Sequence, residues 1–160
     1  MSKSLKRVAR ALEEIGLDTE IVEVGAARTA AEAAASLGCL VDQIANSIIL
    51  LGRETGQVKL FLTSGANRVD VARAAQAAGE PLGKADAAVI RAQTGFAIGG
   101  VSPLGHTTPL PAWIDPHLLG FERIYAAAGT PRHLFGLTPH QLVQITGGQV
   151  VDVTETSGSM

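Results

Sequence analysis

Cysteine is almost absent from this chain of 160 residues, in which Cys39 is the only one. A single thiol excludes an internal disulfide and a zinc cluster built from cysteines. Cys39 follows a predicted helix end and has no histidine near it in sequence, so we expect a small buried hydrophobe rather than a nucleophile. His106, His117, His133 and His140 lack the spacing of metal ligands, and we therefore expect no metal.

Aromatic residues and excess charge are also scarce, since aromatics make up 4% of the chain and the net charge is −2. So few aromatic side chains cannot form a base-stacking platform, and a protein that binds nucleic acid tightly by itself is usually basic. The sequence also lacks a convincing helix-turn-helix, so we expect no DNA partner. Any contact with RNA is expected to be local, weak or assisted by another protein.

Long apolar runs are missing as well. No stretch of about 18 or more apolar residues occurs, so neither a membrane span nor a membrane partner is expected. Residues 1–7 are basic but lack the apolar core of a signal peptide, which makes the cytoplasm the expected location. No glycine-rich nucleotide motif occurs, and we expect no cofactor. The length fits one folded domain over residues 1–160.

Periodicity and turn residues predict helices and strands that do not alternate regularly. The predicted helices cover residues 3–15, 29–37, 70–78, 86–94 and 138–145, and the predicted strands cover residues 21–24, 47–51, 58–63, 81–84, 122–128 and 149–153. Residues 41–46 are predicted as a helical turn or loop, and residues 154–160 as a frayed tail. The continuous apolar run 47–51 predicts a strand buried on both faces. The pattern favours an α+β fold with a mixed sheet.

The first predicted helix is amphipathic. Its apolar face carries Leu5, Val8, Leu12 and Ile15, and another face carries basic residues at positions 3, 7 and 10. This basic face predicts either a solvated surface or contact with RNA phosphates. The second helix begins with Thr29 and Glu32, which fit a capping box in which each side chain binds the other's backbone N–H.

The central feature of the sequence is a glycine-rich loop at residues 96–106. Gly99 and Gly100 are adjacent and can adopt backbone angles closed to other residues, while Pro103 restricts both itself and Ser102. Free N–H groups in such a loop form a nest for a carboxylate, a phosphate or an oxyanion. The alternative is a strand that ends in a tight turn.

The chain resembles the YbaK/ProX family, whose members are related to the editing domain inserted in bacterial prolyl-tRNA synthetases. The resemblance covers about residues 20–153, and Gly99 and Pro103 match the family's GxxxP motif. The segments that carry it are residues 29–34 (TAAEAA), 43–50 (QIANSIIL), 94–105 (TGFAIGGVSPLG) and 129–131 (GTP). It implies a free-standing deacylase of mischarged aminoacyl-tRNA, of tRNA(Pro) or a related tRNA, without a metal or a covalent enzyme intermediate. It also implies a strongly curved, partly barrel-like mixed sheet surrounded by helices.

The resemblance and the loop chemistry together suggest site residues. We expect Gly99, Gly100 and Asn46 to be catalytic, with loop N–H groups facing the developing oxyanion. The expected substrate-binding residues are Thr29, Val101, Ser102, Pro103, His106, Gly129 and Thr130. His106 is a candidate general base, although an imidazole in a loop can equally bind the backbone.

Asn46 stands where many family members have a lysine before the strand. An amide can hold a hydroxyl or a carbonyl by hydrogen bonds, but it carries no charge. The alternative for Asn46 is a structural cap. A further alternative for the whole protein is a non-catalytic module that binds aminoacyl groups and has an aminoacyl-tRNA synthetase as partner.

Overall fold

The computed structural model describes residues 2–25 and 29–155 of the chain. Within these residues the helices are α1 (Lys3–Glu14), α2 (Ala30–Leu37), α3 (Val71–Ala78), α4 (Ala87–Thr94) and α5 (Pro139–Thr146), and two 3-10 turns span Val41–Gln43 and Pro116–Gly120. The strands are β1 (Ile21–Glu23), β2 (Ile44–Gly52), β3 (Val58–Ser64), β4 (Leu82–Lys84), β5 (Ala112–Ile114), β6 (Ile124–Ala127), β7 (His133–Leu137) and β8 (Gln149–Val150). The expected α+β class is confirmed.

The strands form one mixed sheet in the order β1-β7-β6-β2-β3-β5-β8, with β4 attached to β2. Strands β2 and β6, β3 and β5, and β5 and β8 are parallel, whereas the remaining pairs are antiparallel. Within the described part of the chain, the end strands β1 and β8 do not pair with each other. The sheet is therefore open and does not complete a barrel.

Strand β2 is the centre of this topology because three strands pair with it. Strand β3 pairs with it from Ala45 to Leu51. The opposite edge is shared, since β6 pairs at Ile44 and Ala45 and β4 pairs from Leu50 to Gly52. Residues 46–49 thus have a sheet partner on one edge only, which leaves a gap between β6 and β4.

Burial follows these pairings. All residues of β3 are buried, whereas Ser47–Leu51 of β2 are only half-buried, so the prediction that this apolar run is buried on both faces is wrong. The gap beside β2 accounts for residues 47–49, where no described strand covers this edge, whereas Leu50 and Leu51 are half-buried although β4 pairs with them. Helix α1 contributes Leu5, Val8 and Leu12 to the main core, but Ile15 lies beyond the helix and is exposed, contrary to the predicted apolar face.

Local capping signals set the helix boundaries where they were predicted, and the hydrogen bonds of α2 include one half of the predicted capping box, from the Glu32 N–H to Thr29. The Thr29 hydroxyl accepts from the Glu32 N–H at 3.1 Å, and Gly38 ends α2 in the left-handed conformation. Asp70 and Gly79 begin and end α3 in the same manner. The predicted turn at 41–46 is too long, since the 3-10 turn ends at Gln43 and the pairing with β6 draws the next residues into β2.

The chain end is more ordered than expected up to residue 155. Thr154 forms an antiparallel bridge with Val69, and the Glu155 N–H donates to the Arg68 carbonyl at 2.8 Å. The predicted frayed tail is therefore wrong for these two residues, and the rest of it lies outside the described residues.

A buried ion pair fastens the β2–β3 turn to the segment after α3. Lys59 Nζ lies 3.0 Å from Glu80 Oε2, and the Glu80 carboxylate also accepts hydrogen bonds from the Glu54 N–H and from the N–H and hydroxyl of Thr55. Burial raises the pKa of Glu80, but the hydrogen bonds from Thr55, Lys59 and Glu54 outweigh it and lower the pKa to about 2. The carboxylate is therefore ionised across the physiological range.

Candidate functional site

The gap beside β2 opens into a cavity of about 350 Å³, here named the acyl cavity. Its walls come from the start of α2, the first half of β2, the glycine loop, the end of β6 and the loop into β7. The lining residues are Thr29, Ala30, Ala33, Ile44, Ala45, Asn46, Ser47, Gly99, Ala127, Pro131 and Leu134. Three residues selected from the sequence, Thr29, Asn46 and Gly99, thus meet at one site.

Asn46 is exposed in the third position of β2, where it pairs with Thr63 of β3. Its side-chain amide makes no hydrogen bond with any residue of 2–25 or 29–155. The alternative that Asn46 caps the strand or the preceding turn therefore has no support in the structure. An amide with free donors and a free acceptor at a cavity wall is available to a ligand.

Gly99 requires glycine for conformational reasons. Its φ of +90° is unfavourable for residues with a Cβ. There is nevertheless space for a Cβ, because the nearest atom, Pro131 Cγ, would lie 3.8 Å away. The Gly99 N–H finds no acceptor among the residues that the structure describes. A free N–H at the edge of the acyl cavity is what the loop chemistry predicted.

Gly100 has a different role from the one expected. Its N–H donates to the Ala97 carbonyl at 3.1 Å, so the prediction that it is uncovered is wrong. A Cβ at this position would lie 2.8 Å from Thr130 Cα. Gly100 is therefore needed because two loops touch there through their backbones, and its N–H closes the turn of the glycine loop.

The next three loop residues are buried rather than presented to the acyl cavity. Val101 is 2% exposed and Ser102 is fully buried. The Ser102 hydroxyl accepts from the Leu104 N–H at 3.3 Å, and Pro103 is buried beside it. These residues, expected to bind substrate, line no part of the acyl cavity and instead fix the shape of the loop.

His106 lies away from the acyl cavity, on the side of the loop that faces α1. Its Nε2 is 2.6 Å from the Ser102 carbonyl oxygen, which can only accept, so Nε2 carries a proton. Burial lowers the pKa of His106 more than this hydrogen bond raises it. The structure thus brings His106 to the backbone, which was the alternative to a general base.

Gly129 and Thr130 form the loop that faces the glycine loop. Gly129 has a φ of +96°, and a Cβ there would lie 2.7 Å from the Ser4 carbonyl oxygen of α1. Thr130 Oγ1 lies 2.6 Å from His133 Nδ1 and accepts from the Arg132 N–H at 3.1 Å. Neither residue lines the acyl cavity, but they position Pro131, which does.

Sequence reasoning missed Ser47 and Pro131. Ser47 lines the acyl cavity and also an adjoining apolar cavity of about 470 Å³, and its buried hydroxyl has no hydrogen-bond partner in the described part of the chain. An unpaired buried hydroxyl costs roughly 1–3 kcal/mol, and Thr63 and Trp113, which do not line the acyl cavity, also have buried polar atoms without a partner among the described residues. The two consecutive polar residues Asn46 and Ser47 in a largely apolar strand were the available signal.

The acyl cavity has no charged side chain among its described lining residues. Its polar groups are the Asn46 amide, two hydroxyls and main-chain N–H and C=O groups. Such a set can orient a neutral ester or amide and donate hydrogen bonds to an oxyanion. Among residues 2–25 and 29–155, no three histidine, cysteine, aspartate or glutamate side chains come together as metal ligands, and no helix is long and apolar enough to cross a membrane.

Comparison with known proteins identifies the family of this chain. The model of the aminoacyl-tRNA editing domain matches residues 24–145. A solved structure described as a candidate trans-editing enzyme for prolyl tRNA synthetase is 48% identical, with a TM-score of 0.90 over 97% of this chain and 99% of that one. Another solved structure, of the hypothetical protein APE2540, is 30% identical with a TM-score of 0.84 over 93% and 99% of the two chains.

Among curated proteins, Enterococcus faecalis EbsC is named as a candidate Cys-tRNA(Pro)/Cys-tRNA(Cys) deacylase. It is 28% identical over 130 residues, which cover 79% of this chain and 77% of EbsC. The uncharacterized protein YwhH of Bacillus subtilis is 28% identical over 152 residues, or 94% and 96% of the two chains. Because the family model spans most of the sequence, the chain belongs to the aminoacyl-tRNA editing domain family.

Proposed function

We propose that this protein is an aminoacyl-tRNA deacylase that acts in trans, removing a wrong amino acid from a mischarged tRNA. The observation that carries the proposal is the acyl cavity, whose described lining is uncharged and includes Asn46 and Gly99. The Asn46 amide and the Gly99 N–H have no hydrogen-bond partner among the described residues. Family membership supports the same reaction class. We further propose that residues 1–160 act as one editing domain in the cytoplasm, where tRNAs are charged.

The reaction is hydrolysis of the ester between the amino acid and the terminal ribose. Water adds to the carbonyl carbon, the tetrahedral oxyanion collapses, the ester C–O bond breaks and the ribose oxygen takes a proton. An aminoacyl ester is already reactive, so holding it beside a water supplies much of the catalysis. This agrees with a cavity whose described lining contains no acid, base or activated nucleophile.

Gly99 and Asn46 have distinct roles in this proposal. The Gly99 N–H donates to the oxyanion, a contribution worth roughly 3 kcal/mol in other hydrolases. The Asn46 amide holds the ester carbonyl or a ribose hydroxyl at short range. Thr29 and Pro131 shape the wall against which the amino-acid side chain rests, and Ser47 forms part of the same wall.

The substrate proposed is tRNA(Pro) or a related tRNA carrying a non-cognate amino acid. Support comes from the names of two relatives, one linked to prolyl tRNA synthetase and the other to Cys-tRNA(Pro) and Cys-tRNA(Cys). An aminoacyl-tRNA synthetase is a further proposed partner, because a trans-acting editor must meet the charged tRNA before it is used.

A binding module without hydrolysis is the second candidate. The uncharged Asn46, at the position where many family members carry lysine, favours it. The discriminating experiment incubates the protein with a panel of tRNAs charged with different amino acids and follows release of the amino acid. Turnover of at least one mischarged tRNA, lost in Asn46→Ala, supports the enzyme, whereas binding without release supports the module.

A further inference from the structure

A basic groove runs along α1, next to the glycine loop but outside the acyl cavity. Lys3, Lys6, Arg7 and Arg10 line this groove of about 370 Å³ together with Gly105 and His106, and Glu14 stands at its end. These are four of the 13 lysines and arginines in a chain whose net charge is −2. The groove therefore holds four neighbouring cations, while the other nine lysines and arginines lie elsewhere in the chain.

These cations are available to a ligand. All four side chains are exposed, and none forms an ion pair with a described residue. Arg7 makes a cation–π contact, in which its guanidinium carbon lies 5.8 Å from the centre of the Phe96 ring. The apolar face of α1 is buried in the main core, which holds the helix in place with its basic face toward solvent.

The loop at residues 129–132 lies between the acyl cavity and the first turn of α1. Pro131 lines the acyl cavity and also a neighbouring cavity of about 530 Å³, which Ser2, Leu5, Glu23 and Arg132 line as well. Ser2 and Leu5 are neighbours in sequence of Lys3 and Lys6, which line the basic groove. The first turn of α1 is therefore one loop away from the acyl cavity.

We propose that the basic face of α1 binds the phosphates of the tRNA strand that leads to the acylated 3′ end. This inference rests on the proposed function, because the strand reaches the groove only when its ester lies in the acyl cavity. From Lys3 to Arg10 the helix rises about 10 Å at 1.5 Å per residue, a length that serves two or three consecutive phosphates. Charge complementarity selects a polyanion, and the position of α1 one loop away from the acyl cavity selects the polyanion to which the ester is attached.

The test compares two double variants on two substrates that share the same ester. Lys6→Glu/Arg10→Glu reverses two charges in the groove, and Arg53→Glu/Arg91→Glu reverses two exposed charges elsewhere as the matched control. The substrates are a mischarged tRNA and the corresponding aminoacyl-adenosine, which has no phosphates. We expect the groove variant to lose at least about tenfold in kcat/KM on tRNA with unchanged turnover of aminoacyl-adenosine.

Salt dependence provides a second readout that a folding defect would not reproduce. Loss of two phosphate contacts should make the slope of log kcat/KM against log salt shallower by about 1.4 to 1.8. Lys6→Gln/Arg10→Gln should show the same change with a smaller loss of rate, which guards against misfolding of the charge-reversed variant.

The possible outcomes separate this inference from the proposed function. Equal losses in the groove and control variants, or an unchanged salt slope, would overturn the inference while leaving deacylation intact. Absence of turnover on both substrates in the unaltered protein would instead defeat the proposed function. Retained deacylation, together with loss of binding to a synthetase in the groove variant, would assign α1 to a protein partner and also overturn the inference.

Discussion

Lys59 Nζ and Glu80 Oε2 lie 3.0 Å apart, with both side chains almost fully removed from solvent. Their pairing links β3 to the segment between α3 and β4. It is remote from the acyl cavity, so it offers a measure of stability that is independent of catalysis.

Replacing Glu80 should destabilise the fold. Glu80→Gln leaves the Lys59 ammonium buried without its charge partner and weakens the hydrogen bonds from Glu54 and Thr55. We expect the melting temperature at pH 7 to fall by several degrees while the single-turnover deacylation rate of the folded protein is unchanged. Calorimetry at several pH values measures the first quantity.

The Glu80 carboxylate should also make the stability of the fold depend on pH in the acid range. Its pKa is lowered to about 2 in the folded protein, below the ordinary value of 4.5. A lowered pKa stabilises the fold above about pH 4.5, and this contribution is lost as the pH falls from there toward 2. The melting temperature should drop across that window in the unaltered protein and drop less in Glu80→Gln, and parallel curves would contradict the assignment.

Asn46→Ala should reduce activity without affecting stability. The side chain is exposed and binds no described residue, so its removal should leave the melting temperature unchanged. The loss of a hydrogen bond to the reacting group should lower the deacylation rate by about tenfold. Asn46→Asp should be at least as harmful, because it removes the donors and places a negative charge beside RNA.

Asn67→Ala is the matched control for this prediction. Asn67 Nδ2 donates to the buried Asp115 carboxylate at 2.9 Å, so its loss should lower the melting temperature and leave the rate constant alone. If Asn46→Ala instead behaves like Asn67→Ala, Asn46 is a structural residue and the site must be redrawn.

The two adjacent glycines should respond differently to alanine. Gly99→Ala has space for its Cβ, but its positive φ costs about 1–2 kcal/mol unless the loop rotates, which moves the N–H assigned to the oxyanion. We expect a rate loss of at least about tenfold, in line with the loss of one oxyanion donor.

Gly100→Ala should mainly lower stability, because its Cβ meets the Thr130 backbone and forces two loops apart. Single-turnover rates and thermal melts of both variants separate the two effects. A Gly99→Ala protein with the parental rate would remove this N–H from the mechanism.

Cys39 should be dispensable for chemistry. The thiol is half-buried beside a small apolar cluster, and burial raises its pKa more than a backbone hydrogen bond lowers it. A raised pKa leaves little thiolate at neutral pH, so Cys39→Ser should deacylate at the parental rate. Complete loss of activity in a folded Cys39→Ser protein would show the opposite.

The sequence predicted best those features that depend on neighbouring residues. Thr29 and Gly38, or Asp70 and Gly79, define helix ends by local hydrogen bonds and backbone angles, and the structure has those ends. The start of β2 was missed because it depends on pairing of Ile44 with Tyr125, far along the chain. A local pattern contains no information about such a partner.

The same distinction between local and tertiary information applies to the candidate site. Asn46, Gly99 and Thr29 were selected through motifs and do meet at one cavity. The position of His106 depends on which side of the loop α1 covers, and the role of Gly100 depends on how closely Thr130 approaches. Both are tertiary contacts, so sequence alone could assign the residues but not their roles.

The pairing of β2 with β6 affects how this protein folds during synthesis. The walls of the acyl cavity are far apart in sequence, so a nascent chain has no site until β6 and β7 have been made and have joined β1 and β2. Non-local pairing of this kind slows folding compared with helical proteins of similar length. Before that pairing, the edge of β2 is uncovered at Ile44 and Ala45 as well as at residues 46–49. An exposed strand edge can pair with other chains, so molecular crowding or early truncation should favour aggregation over activity.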